Sequence, residues 1–66
     1  MVIIVNGEEM TFRHFLSLGD FLKSKDIKPE SVVVELNKKI IKTEHYDQTQ
    51  LKDKDVLEIL RFVGGG

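Results

Sequence analysis

Met1-Val2-Ile3-Ile4-Val5-Asn6-Gly7-Glu8-Glu9-Met10-Thr11-Phe12-Arg13 opens the chain, and the two residues Asn6-Gly7 decide how it folds. Asn-Gly favours the positive φ angles that both central positions of a tight two-residue hairpin require. The apolar run 1–5 is therefore a first strand, and 8–13 returns beside it as a second. A run this short is neither a signal peptide nor a membrane span, so the expectation is a cytoplasmic protein with no membrane partner.

Working outward, the next element is a helix. Ser17 is a good N-cap with Asp20 three positions on, and Leu16 and Phe21 occupy the two positions of a hydrophobic staple. Leu18, Phe21 and Leu22 recur at helical spacing and mark the core-facing side. Gly19 weakens the first turn, and Pro29 ends the helix by Ile27 or Lys28. Residues 31–36 read as a third strand whose alternation sends Val32, Val34 and Leu36 to the core and Val33 and Glu35 to the other side. Asn37-Lys38 turns the chain into a short strand at 39–41. The polar stretch 42–50 has no period and room for a single helical turn. Asp53-Lys54-Asp55 is a turn, and 56–63 is the last strand.

This order is β-β-α-β-β-β. It buries its apolar residues as an α+β domain, one main helix packed on one face of a mixed sheet of about five strands. A hairpin followed by a crossover helix makes a later strand lie parallel to the first, which is the β-grasp (ubiquitin-like) arrangement. One domain covers 1–63, and 64–66 are expected to form a flexible glycine tail.

Composition narrows the function. At 66 residues the chain spares little apolar material for a deep pocket, which favours a module acted on by partners over an enzyme. Ten basic against eleven acidic residues leave no excess to neutralise a phosphate backbone, so nucleic acid is not an expected partner. With no cysteine there is no disulfide, no thiolate nucleophile and no side-chain sulfur relay. His14 and His45 stand in unrelated segments with no third group at metal-ligand spacing. Asp53, Asp55 and Glu58 alternate with Lys52 and Lys54 as a charged hairpin does, so no metal site is expected.

The chain closes on Gly64-Gly65-Gly66. Three glycines are narrow and extensible, able to thread a cleft that excludes any Cβ, and Gly66 offers its α-carboxylate. Taken alone they fit an appended or frayed end better, and it is their context that changes the reading. Along the last strand both alternating sets are apolar, although a sheet with one helix buries only one face. Leu57 and Ile59 are assigned to the core, and Leu60 and Phe62 to the open face beside the tail. There they form a partner contact or are covered by loops.

Three stretches together carry a family likeness. Residues 33–41 (Val-Val-Glu-Leu-Asn-Lys-Lys-Ile-Ile), 51–59 (Leu-Lys-Asp-Lys-Asp-Val-Leu-Glu-Ile) and 62–66 (Phe-Val-Gly-Gly-Gly) resemble the sulfur carriers of thiamin biosynthesis, the ThiS family. Length and Leu18-Gly19-Asp20 at the helix start agree. Lys54 departs from the pattern, standing where the family usually has glycine before the aspartate.

The resemblance implies a protein cosubstrate rather than an enzyme. An E1-like adenylyltransferase (ThiF type) adenylates the Gly66 carboxylate with ATP and Mg²⁺. A sulfur donor such as a cysteine desulfurase system then converts it to a thiocarboxylate, and a thiazole synthase (ThiG type) takes the sulfur. ATP and metal belong to the partner, and the carrier itself binds no cofactor. On this scheme Gly64 and Gly65 would be the residues that thread the partner, and Leu60 and Phe62, if not covered by loops, would dock on it. Three alternatives share parts of this picture. The molybdopterin-type carrier is typically longer and often has proline before its diglycine. A protein modifier would use the same tail activation, and a non-covalent β-grasp interaction domain would leave the glycines inert.

Overall fold

The computed structural model describes residues 1–61, in the order β1 (Val2–Val5), β2 (Glu8–Thr11), α1 (Leu18–Ser24), β3 (Val32–Leu36), β4 (Lys39–Ile41) and β5 (Val56–Arg61). Short 3-10 helices, Pro29–Ser31 and Thr43–Gln48, precede β3 and follow β4. One sheet holds all five strands in the order β2-β1-β5-β3-β4, with β1 parallel to β5 and every other pairing antiparallel.

Local chemistry explains each turn. Asn6 at φ 49° and Gly7 at φ 84° supply the two left-handed positions of the β1–β2 hairpin. Asn37 at φ 51° and Lys38 at φ 72° do the same between β3 and β4, although lysine has no intrinsic liking for that region. Helix α1 begins as its sequence indicates: the Ser17 hydroxyl accepts from the Asp20 N–H at 3.0 Å. It ends at Ser24, three residues short of Ile27.

The core lies between α1 and one sheet face. Ile3, Val5, Val32, Val34, Leu57 and Ile59 point into it from the strands, and Leu18, Phe21 and Leu22 from the helix. Phe12 meets Phe21 edge to face with ring centroids 5.8 Å apart. Leu36, expected inside, is only half-buried. Two core members come from segments with no readable period, Tyr46 in the second 3-10 helix and Leu51 after it. The chain at 49–51 is drawn in by Leu18 N–H donating to the Thr49 carbonyl (2.7 Å) and Leu51 N–H to that of Leu16 (3.0 Å). Gly19 has a packing reason too. A Cβ there would run into the Asp47 carboxylate and stand 3.4 Å from the Asp47 Cα, so the glycine gives α1 room beside the second 3-10 helix.

Strand limits shift slightly from those read in the sequence. β1 begins at Val2, β2 stops at Thr11 rather than 13, and Ser31 belongs to the 3-10 helix before β3. The described part of β5 reaches Arg61. Among the described residues, no helix is long and apolar enough to cross a membrane.

Candidate functional site: the end of β5 and the open sheet face

β5 occupies the middle of the sheet and leads towards the glycine tail. Its alternation is the one expected. Leu57 and Ile59 are buried, whereas Val56, Glu58 and Leu60 project from the face opposite α1. Leu60 is 58% exposed. Phe62, Gly64, Gly65 and Gly66 lie outside the described residues.

Both edges of β5 are held. On one side it pairs with β3 from Val32↔Arg61 to Leu36↔Leu57. On the other, β1 reaches only Ile4↔Val56 and Val5↔Leu57 before the hairpin turns away. There the Asn6 side chain continues the strand's work. Its Oδ1 accepts the Ile59 N–H at 2.8 Å, and its Nδ2 donates to the Ile59 carbonyl at 3.3 Å. The sequence marked Asn6 as a turn residue. Its second task, across 53 positions of chain, leaves no local signal.

A second amide serves the other end of β5. Asn37 Nδ2 donates to Asp55 Oδ1 at 3.0 Å, and its Oδ1 accepts the Val56 N–H at 2.9 Å. Asp55 Oδ2 accepts the Lys52 N–H at 2.7 Å, so both carboxylate oxygens of a residue only 9% exposed have a donor. Asp53 Oδ1 accepts from the Val2 N–H at 2.7 Å. Asp53 and Asp55 are thus acceptors that shape the turn before β5. Among the described residues, no group of three His, Cys, Asp or Glu side chains is arranged to hold a metal. His14 and His45 are both exposed.

The open face is more apolar than a solvated sheet face needs to be. Among the described residues, Ile40 (68% exposed), Leu60 and Val56 are three of the four exposed large hydrophobics, Phe15 being the fourth. Register explains their grouping. Ile40 sits opposite Glu35 on β3, Glu35 opposite Glu58 on β5, and Val33 opposite Leu60. Two glutamates therefore face each other inside an apolar surround. Neither this pairing nor the exposure of Ile40 is readable without the register. Below the sheet, an open groove of about 540 Å³ runs between the β1–β2 turn and the end of α1. Asn6, Met10, Phe21, Ile27, Ile59 and Arg61 are among the residues lining it.

Among the described residues this arrangement offers a surface and a strand held on both edges. Comparison with known proteins identifies the family. The model of the ThiS family matches residues 3–66. "Sulfur carrier protein ThiS" of Bacillus subtilis is 40% identical over 63 residues, covering 94% of this chain and 96% of its own length. A "Thiazole synthase" of Paramagnetospirillum magneticum is 35% identical across all of this chain, within 20% of its own length. Among solved structures, thiamine biosynthesis protein ThiS from Geobacter metallireducens superimposes with a TM-score of 0.85 at 36% identity, each chain covered completely.

Proposed function

The chain belongs to the ThiS family and is a sulfur carrier of thiamin biosynthesis, and from that premise we propose that its working group is the Gly66 carboxylate. A carboxylate is a poor acyl donor because its leaving group would be oxide. Attack of its oxygen on the α-phosphorus of ATP expels pyrophosphate and leaves an acyl adenylate, from which AMP departs readily. A persulfide sulfur then adds to the acyl carbon and releases AMP. Thiol reduction of the resulting acyl disulfide frees a thiocarboxylate, whose sulfur is the nucleophile passed on.

ATP, Mg²⁺, reductant and acid–base groups come from an adenylyltransferase and a desulfurase system. A chain without cysteine has no thiol of its own to hold the sulfur. The observation that carries this reading is the family match running through residue 66, in a domain whose central strand leads to Gly64-Gly65-Gly66. The acceptor is a thiazole synthase. Support comes from relatives of that name containing a segment similar to this entire chain. Leu60 and Phe62 would dock on the activating partner while Gly64 and Gly65 thread its cleft.

Intact mass spectrometry tests the proposal. After incubation with the activating enzyme, ATP and a sulfur source, the chain should gain the mass difference between sulfur and oxygen, located on the C-terminal peptide. An unchanged mass, or a gain on any other peptide, refutes it.

A further inference from the structure

The chain has two asparagines, and the fold uses them alike. Asn6 (φ 49°) and Asn37 (φ 51°) each take the first left-handed position of a hairpin turn, and each sends its side-chain amide onto β5 or the turn before it. Asn6 holds Ile59 by both amide atoms, and Asn37 holds Asp55 and Val56. They differ in the residue that follows. Lys38 carries a side chain, whereas Gly7 is exposed and has open space where a Cβ would stand. Among the described residues, the Gly7 N–H donates to no backbone carbonyl. A free backbone nitrogen with no Cβ beside it can close on the asparagine side chain before it, the reaction that makes asparagine thermolabile.

We propose that Asn6 is a modification site at which water replaces the side-chain amide, through a cyclic imide closed by Gly7, and that the hold on Ile59 sets its pace. The Gly7 nitrogen, its proton taken by hydroxide, bonds to Cγ of Asn6. The bond from Cγ to Nδ2 breaks, and that nitrogen leaves as ammonia with a proton from water, which restores the hydroxide. Water then opens the imide at either carbonyl and gives aspartate or isoaspartate. One water is consumed and one ammonia released, with no change of oxidation state. While Nδ2 and Oδ1 are bonded to Ile59 the side chain is committed to β5, so closure waits for those two bonds to open. The product cannot restore both. Aspartate sets an acceptor against the Ile59 carbonyl where a donor stood, and isoaspartate carries its carboxylate one carbon short. Because β1 pairs with β5 no further than Leu57, either product weakens the hold on that edge of Ile59.

Peptide mapping tests this. The folded chain, and the same chain in urea, are incubated in mildly alkaline buffer and digested with trypsin. The peptide ending at Arg13 should gain the mass difference between a hydroxyl and an amino group, with isoaspartate identified by enzymatic methylation, while the peptide containing Asn37 stays unchanged. Folding should slow conversion at Asn6 by about fivefold to a hundredfold, the factor that two net hydrogen bonds supply. Exchanging the following residues checks the chemistry. Lys38→Gly should make Asn37 reactive, and Gly7→Lys should silence Asn6, a change that Lys38 at φ 72° shows a hairpin can bear. The modified chain, isolated by its extra negative charge, should exchange its Ile59 amide about threefold or more faster than the unmodified chain, with β3 amides unaltered. Equal conversion at Asn6 and Asn37, conversion as fast folded as in urea, or an unchanged Ile59 amide in the product each overturns the proposal. So does protection of Asn6 far beyond about a hundredfold, because reaction would then require the whole domain to unfold rather than two bonds to open.

Discussion

Lys54→Gly should stabilise this protein, although it removes a side chain. Lys54 has φ 71° in the turn before β5, and its N–H donates to the Val2 carbonyl, which fixes the backbone in that conformation. A residue with a Cβ pays about 1–2 kcal/mol to occupy the left-handed region. Glycine removes that strain and forfeits about 0.5–1 kcal/mol through its looser unfolded chain. The Lys54 side chain is exposed, so no packing is lost. The net gain is about 0.5–1 kcal/mol, or about 2–8 °C in Tm for a domain of this size. Thermal unfolding followed by far-UV circular dichroism, with urea titration to check that m is unchanged, measures it. Lys52→Gly in the same turn, where φ is not positive, should instead lower stability by about 0.5–1 kcal/mol. If both variants lose stability alike, the strain argument is wrong.

Further outcomes follow from the site. Leu60→Asp should weaken binding to the activating enzyme while stability changes by less than about 0.5 kcal/mol, since the residue is largely in solvent; collapse of the melting temperature would contradict the assigned face. Phe21→Ala should cost about 3–5 kcal/mol, enough to unfold much of the population, as urea titration would show. Alanine appended after Gly66 moves the carboxylate and adds a Cβ, so ATP–pyrophosphate exchange should be abolished in a chain that still melts as wild type does. Asn6→Gly keeps the positive φ of the hairpin but removes both bonds to Ile59, so the Ile59 amide should exchange faster with solvent while amides in β3 do not.

Most of the fold was legible because its signals are local. Asn6-Gly7 and Asn37-Lys38 announce two hairpins by their turn chemistry, Ser17 announces α1, and alternation along β5 separates Leu57 and Ile59 from Leu60. What stayed hidden depends on partners distant in sequence. Tyr46 and Leu51 enter the core from a polar segment because backbone bonds at 49–51 draw that segment against α1. The second role of Asn6 and the meeting of Glu35 with Glu58 exist only once strand register is set. Gly19 read as a blemish in a helix until the position of Asp47 explained it.

The parallel pairing of β1 with β5 has a mechanical consequence. Tension applied between the first strand and the far end of β5 runs along both strands in opposite directions, so the bonds joining them are loaded in shear and share the force. Those bonds are Ile4 N–H to the Asp55 carbonyl and Asn6 N–H to that of Leu57, both 2.9 Å, with the side-chain bond of Asn6 to the Ile59 N–H as a further link. A hairpin pulled open from one end gives way one bond at a time, whereas this clamp must release its bonds together. Under the proposed threading, an enzyme drawing on the glycines would load these bonds together rather than one at a time.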